Sequence, residues 1–138
     1  MSSKNQLTGM RGVYLVAAEL ARHGFIASPT SRSAQAADIL ATDSRCKRAW
    51  SIQVKTKVTK ATYWLVTKHA KKTVARSHFY VLVNIRDEDP REFFVIPSKK
   101  VAGMVYTYRS KNAVWFSIGR EDAKPFLDKW KLLRDGKH

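Results

Sequence analysis

The sequence predicts an α/β fold, a mixed β-sheet flanked by helices, on three observations. Apolar residues recur at helical spacing near the start of the chain, as Val13, Val16, Ala17 and Leu20. Segments of period-2 alternation follow, clearest over residues 49–58. His78 to Ile85 is nearly continuous apolar sequence, as expected of a strand buried on both faces.

Taken in order, the spacing predicts a helix from about Thr8 to His23, stopped by Gly24. Phe25 to Ser28 reads as a short strand, ended by Pro29 and a polar loop through Ser33. Ala36 to Thr42 reads as the next strand, and Asp43 to Arg48 as a basic turn into the strand of 49–58. A helix followed by a three-stranded meander results. Tyr63 to Val66 reads as a strand or extended packing segment, and Lys68 to Arg76 as a short basic helix with a thin apolar face. After the apolar strand at 78–85, a turn through Pro90 leads to a strand over Glu92 to Ile96. Ser98 is placed to cap a helix over Lys99 to Val105. Val114 to Ile118 reads as a last edge strand, and Asp122 to Arg134 as a closing helix with Pro125 in its first turn.

No linker, repeat or low-complexity block divides the 138 residues, so a single domain over 1–138 is expected, with 44% hydrophobic residues to build its core. Lys and Arg outnumber Asp and Glu by 26 to 11, for a net charge of +15. So large an excess repels itself in the compact state and points to a polyanionic partner. The basic residues are spread along the chain and no apolar run approaches a membrane span, which favours nucleic acid over a membrane surface. Residues 1–6 are not followed by a signal-peptide core. Cys46 is the only cysteine, which excludes an internal disulfide and a cysteine-based zinc site; a reducing, cytoplasmic setting is expected.

The alternation in Trp50-Ser51-Ile52-Gln53-Val54-Lys55-Thr56-Lys57-Val58 puts Gln53 and Lys55 side by side, facing away from Ile52 and Val54. Upstream, Asp38 stands alone among small and apolar residues. Metal-assisted phosphodiester hydrolysis needs oxygen ligands for a hard cation and a group to orient water. Asp38 offers a carboxylate, Gln53 an amide oxygen and Val54 a backbone carbonyl. Lys55 offers an ammonium to hold the water and to stabilise charge on the phosphate. Glu19 in the first helix is a fourth candidate.

This order of residues resembles the PD-(D/E)xK nuclease superfamily, whose core is a helix followed by a three-stranded meander. Glu19 matches the helix acid, Asp38 the strand Asp with Ala37 in place of the proline, and Gln53-Val54-Lys55 the triplet in its Gln form. The Gln form is similar to the Mrr-type restriction endonucleases; the archaeal Holliday-junction resolvases are similar in size and order but carry an acid where Gln53 stands. The resemblance covers residues 9–58 in specific positions. It implies a restriction-endonuclease-like fold with an α-β-β-β-α-β core, a Mg2+ (or Mn2+) ion held by Asp38, Gln53, Val54 and Glu19, and in-line attack by water leaving a 5′-phosphate. A neutral amide at Gln53 attracts a divalent cation less than a carboxylate, so weak metal affinity is expected.

Each candidate has a plainer reading. Asp38 could be a surface carboxylate at a strand end, yet its apolar neighbours argue for partial burial. Lys55 is one of many lysines, Gln53 could lie on a solvated face, and Glu19 could pair along the helix with Arg22 or His23. His23, His69, His78 and His138 show no metal-ligand spacing, and Ser31, Ser33 and Cys46 have no nucleophile context. Core packing is the default for the tryptophans; Tyr63 or Trp64 could stack on a base. Arg45, Lys47, Arg48, Lys57, Lys60, Lys68, Lys71, Lys72 and Arg76 together are expected to contact phosphates without reading sequence.

The expected function is that of a metal-dependent DNA endonuclease acting on duplex or branched DNA, as a homodimer and without a membrane. A catalytically inactive nucleic-acid-binding protein on the same fold is the alternative, fed by Gln53; an RNA-binding or ribosome-associated domain rests on charge alone.

Overall fold

Amphipathic spacing builds the first element, α1 (Lys4–Arg22), whose buried stripe is Gly12, Val13, Val16 and Leu20. Gly24, at φ +90°, then turns the chain into the left-handed region that a glycine adopts without strain. The protein is described by a computed structural model covering residues 4–31 and 37–135. The predicted strand start at Ala36, the loop residue Ser33 and His138 lie outside the described residues.

Three strands follow as an antiparallel meander: β1 (Phe25–Pro29), β2 (Ile39–Asp43) and β3 (Ala49–Lys57). The β2–β3 turn is fixed by the Asp43 carboxylate, which accepts the Lys47 N–H at 2.8 Å, and by Cys46 at φ 57°. After β4 (Tyr63–Val66), β5 (His78–Asn84) joins β3 in parallel, and β6 (Glu92–Pro97) returns antiparallel. A five-stranded mixed sheet results, in the order β1-β2-β3-β5-β6. The remaining elements are α2 (Ser98–Met104), β7 (Tyr106–Arg109), β8 (Val114–Gly119), α3 (Arg120–Ala123) and α4 (Lys131–Asp135).

The sheet separates two cores. On one face α1 and the C-terminal segment cover Ile39, Ile52, Val54, Phe79, Val81 and Val83. On the other, Tyr80, Leu82, Phe94 and Ile96 meet Trp64, Ile118 and Val101. All seven residues of β5 are buried, and Phe79 to Val83 alternate between the two cores, which accounts for the apolar run. The α/β class with a mixed sheet flanked by helices is therefore as expected. The second face, however, is also covered by a small sheet of order β4-β8-β7.

Several elements differ from the sequence expectation. The helix predicted over 68–76 is a single 3-10 turn, Lys68–Lys71, that buries only Ala70, too little apolar surface to hold a longer helix. Ser98 does not cap α2: Pro97 holds that position, and the Ser98 hydroxyl accepts from Ala75 N–H at 3.0 Å and donates to Ala75 C=O at 2.9 Å. Strand β8 is central in the small sheet rather than at an edge, because β7, unforeseen in the sequence, pairs beside it. The closing helix over 122–134 is broken. Leu127 bridges to Phe94, Asp128 turns at φ 53° and donates its N–H to Phe93 C=O at 2.8 Å, so pairing with β6 outcompetes helix continuation. Among the described residues no helix is long and apolar enough to cross a membrane.

Candidate active site

Asp38 is fixed by its own backbone before its side chain acts. Its N–H donates to Ile52 C=O at 2.8 Å and its C=O accepts from Thr30 N–H at 2.9 Å. Its carboxylate oxygen Oδ2 accepts the Val54 N–H at 2.8 Å, bridging β2 to β3 where the backbone ladder between them ends. Ile39 pairs with Ile52, and one further step of that register sets Asp38 across from Gln53.

Alternation along β3 buries Trp50, Ile52 and Val54 against α1 and turns Gln53 and Lys55 to the opposite face, beside Tyr80 and Leu82 of β5. The Gln53 Oε1 atom is buried without a hydrogen-bond partner. Because the N–H and C=O of one strand residue point to the same side, the Val54 carbonyl is directed toward the β2 edge that holds Asp38. Burial pushes the Lys55 ammonium below its ordinary value of 10.5, with the Asp38 charge opposing that shift. The structure thus brings Asp38, Gln53, Val54 and Lys55 together.

From Lys55 an open cleft of about 350 Å³ runs along the end of β3, walled by Asn5 and Thr8 of α1, Lys57 of β3, and Tyr63 and Leu65 of β4. Asp38 and Gln53 lie outside its lining. Asn5, Thr8 and the β4 wall are contributions that sequence spacing did not single out.

Glu19 is not brought to this set. It sits on α1, across the sheet from Gln53 and Lys55, and its carboxylate takes the Arg22 guanidinium at 2.8 Å. The same contact raises the Arg22 pKa, first through that hydrogen bond and then through the Glu19 charge. The helix-surface ion pair is the reading that holds, and Val13, Val16 and Leu20 fill the space that α1 turns to the sheet.

The candidate phosphate contacts divide into groups. Arg45, Lys47 and Arg48 are exposed on the β2–β3 turn, of which the nearest, Arg48, lies about 23 Å from Lys55 along the chain at about 3.3 Å per residue. There Arg48 lies over the Trp50 ring and donates to the Arg134 carbonyl at 2.6 Å. Lys57 is nearest the site. Burial lowers its pKa, while Asp89 and Glu92 attract it, so its charge is shared with that acidic pair. Lys60 is exposed beside it. Lys68, Lys71, Lys72 and Arg76 are exposed around the 3-10 turn, where Lys71 bonds Thr107 Oγ1 and lies over the Phe116 ring.

These donors can be weighed as a cation site. A carboxylate, an amide oxygen with no protein partner and a directed backbone carbonyl are the oxygen ligands that a hard divalent cation takes. Only one carries charge, and among the described residues no three His, Cys, Asp or Glu gather as a ligand group. In chemical type the three oxygen donors suit a hard cation such as magnesium or manganese.

No family model matches the chain, and no curated protein does. Two solved structures share its architecture. A Holliday junction resolvase, Hjc, from Archaeoglobus fulgidus aligns with a TM-score of 0.56 and 15% identity over 93% of this chain and 99% of that one. A bacterial homing endonuclease, I-Ssp6803I, aligns with a TM-score of 0.63 and 16% identity over 99% and 95%. Both are restriction-endonuclease-like nucleases. With its helix, antiparallel meander and parallel fourth strand in the mixed sheet, the chain shares the restriction-endonuclease-like fold of these two structures.

Proposed function

We propose that this protein is a metal-dependent DNA endonuclease that hydrolyses phosphodiester bonds with Asp38, Gln53, Val54 and Lys55. The observation that carries the reading is the buried, unpartnered Gln53 Oε1 across the strand pair from a carboxylate held by the Val54 N–H. A buried amide oxygen without a partner costs about 1–3 kcal/mol, a cost that a ligand at that atom would relieve. Magnesium or manganese, when bound there, supplies Lewis-acid stabilisation of the phosphate.

The chain's own residues do the rest. The Val54 N–H fixes one Asp38 oxygen, so the carboxylate keeps one orientation. Lys55, which lines the cleft, would orient a water and stabilise negative charge developing on a phosphate. The excess of basic residues attracts DNA, duplex or branched, independently of sequence. A homodimer would present two such sites to two strands, and the exposed, unpaired Cys46 suits a cytoplasmic setting. The structural neighbours are named a Holliday junction resolvase and a homing endonuclease, which agrees with this reading.

Cleavage of supercoiled plasmid and of a four-way junction with magnesium tests the proposal. Asp38→Ala and Lys55→Ala should each lower the rate at least about a hundredfold. Equal activity in wild type and both variants contradicts it. The neutral Gln53 favours one second reading, a nucleic-acid-binding protein without chemistry. Tight, salt-sensitive DNA binding without magnesium binding or cleavage would support that reading instead.

A further inference from the structure

The small sheet turns Trp64, Val66 and Ile118 into the core and leaves its other face bare. Register brings one aromatic set to that outer face. Tyr108 pairs directly with Trp115, and Tyr106 pairs with Ser117, which in turn faces Leu65. Tyr63, Leu65, Tyr106, Tyr108 and Trp115 line an open trough of about 560 Å³. Tyr106 is 64% exposed, Tyr108 56% and Trp115 50%, a concentration of apolar rings that marks an interaction surface.

Two observations identify the occupant. The surface is matched to a polyanion: no Asp or Glu occurs between Asp43 and Asp87, or between Glu92 and Glu121, so all three strands lack acids, while Arg109 and Lys111 stand exposed at the trough's end. The trough also adjoins the cleft that Lys55 lines, because Tyr63 and Leu65 wall both. A two-fold contact between copies through this face would set like-charged rims near one another on chains that each carry +15.

We propose that this face is a stacking platform for unpaired bases of a DNA strand whose backbone enters the cleft at Lys55. Tyrosine and tryptophan rings stack on any base, and bases within continuous duplex are already stacked on their neighbours. The platform therefore selects single-stranded, gapped or junction DNA over uninterrupted duplex. This narrows the substrate class of the nuclease reading, on which it rests.

The test is binding of the full chain, in metal-free buffer, to a thymidine homopolymer and to a blunt duplex of the same length. Trp50, Trp64 and Trp130 are buried, so quenching of tryptophan fluorescence by the single strand reports Trp115. Trp115→Phe should remove the quenching while anisotropy of a labelled strand still shows binding. Tyr106→Ala with Tyr108→Ala should weaken single-strand binding at least about tenfold and duplex binding far less, without a change in thermal midpoint, since both positions are exposed. Absent quenching, or unchanged single-strand affinity in the double variant, overturns the platform. If the double variant also converts a dimer to a monomer in sedimentation, the face is instead a seam between copies. Because no metal or cleavage enters the assay, wild-type protein that shows the quenching but cleaves no DNA with magnesium would sink the nuclease reading's chemistry without touching the platform. Duplex-indifferent cleavage without quenching would do the reverse.

Discussion

Gln53 concentrates the site's chemistry in one atom, the buried oxygen that no protein donor reaches. A carboxylate in its place would add charge to a ligand set that otherwise carries only that of Asp38, and ligand charge tunes divalent-cation affinity. Gln53→Glu should therefore bind manganese about tenfold more tightly by calorimetry; unchanged affinity would place the cation elsewhere. Lys55 carries a pH signature. Burial, opposed by Asp38, sets its folded pKa below 10.5, so the ammonium is lost as pH rises through that lowered value, before an exposed lysine titrates. Cleavage should decline on the alkaline side below 10.5, and Lys55→Arg, which stays charged, should move that decline upward whatever its effect on the maximal rate. An identical alkaline limb in both proteins contradicts the assignment. Asp38, Gln53 and Lys55 were legible as a set because strand alternation and family order both depend on local spacing. Glu19 matched the order equally well. Its spacing to Arg22 also allowed a helix-surface pair, and only packing distinguishes the two.

Among the elements, α1 and β3 set the frame of the site through one close approach. A Cβ at Gly12 would fall on the Thr56 hydroxyl and within 2.9 Å of Thr56 Cβ. In an exposed helix Gly12→Ala would gain about 1 kcal/mol, but here overpacking costs about 1–3 kcal/mol and decides the sign. Gly12→Ala should lower stability in urea melts, and Thr56→Ala in the same chain should restore most of the loss. Full stability of the single variant would show that α1 can lift from β3 freely. The first helix, the meander and the doubly buried β5 were readable because each buries a periodic set. Strand β7 was not, since Tyr106-Thr107-Tyr108-Arg109 has no apolar run and acquires its structure by pairing with β8. Nor was the break after Pro125, where the Leu127–Phe94 bridge is a long-range contact that local propensity cannot encode.

Across the whole molecule, charge and pH act on every element at once. A complex that neutralises about six phosphates should lose about a thousandfold in affinity between 50 and 200 mM salt, so log affinity should fall linearly with log salt. A salt-independent affinity would remove the electrostatic basis of the DNA reading. Stability should also fall on acidification through His78, which is buried at the start of β5 with Nδ1 2.7 Å from Ser51 Oγ. Burial lowers its pKa from 6.5, with a hydrogen bond to the Ser51 backbone opposing. Between that lowered value and 6.5 the unfolded chain binds more protons, so stability rises with pH there and is lost as pH falls from 6.5. Thermal midpoints that decline in this window for wild type, but not for His78→Phe, are expected.

The central claim, that Asp38, Gln53 and Val54 form a divalent-cation site beside Lys55, is tested most directly by crystals soaked in manganese. An anomalous difference peak within coordination distance of the Asp38 carboxylate, Gln53 Oε1 and the Val54 carbonyl, absent in Asp38→Ala crystals, is the predicted result. No peak there, or one that persists without the Asp38 carboxylate, would contradict it.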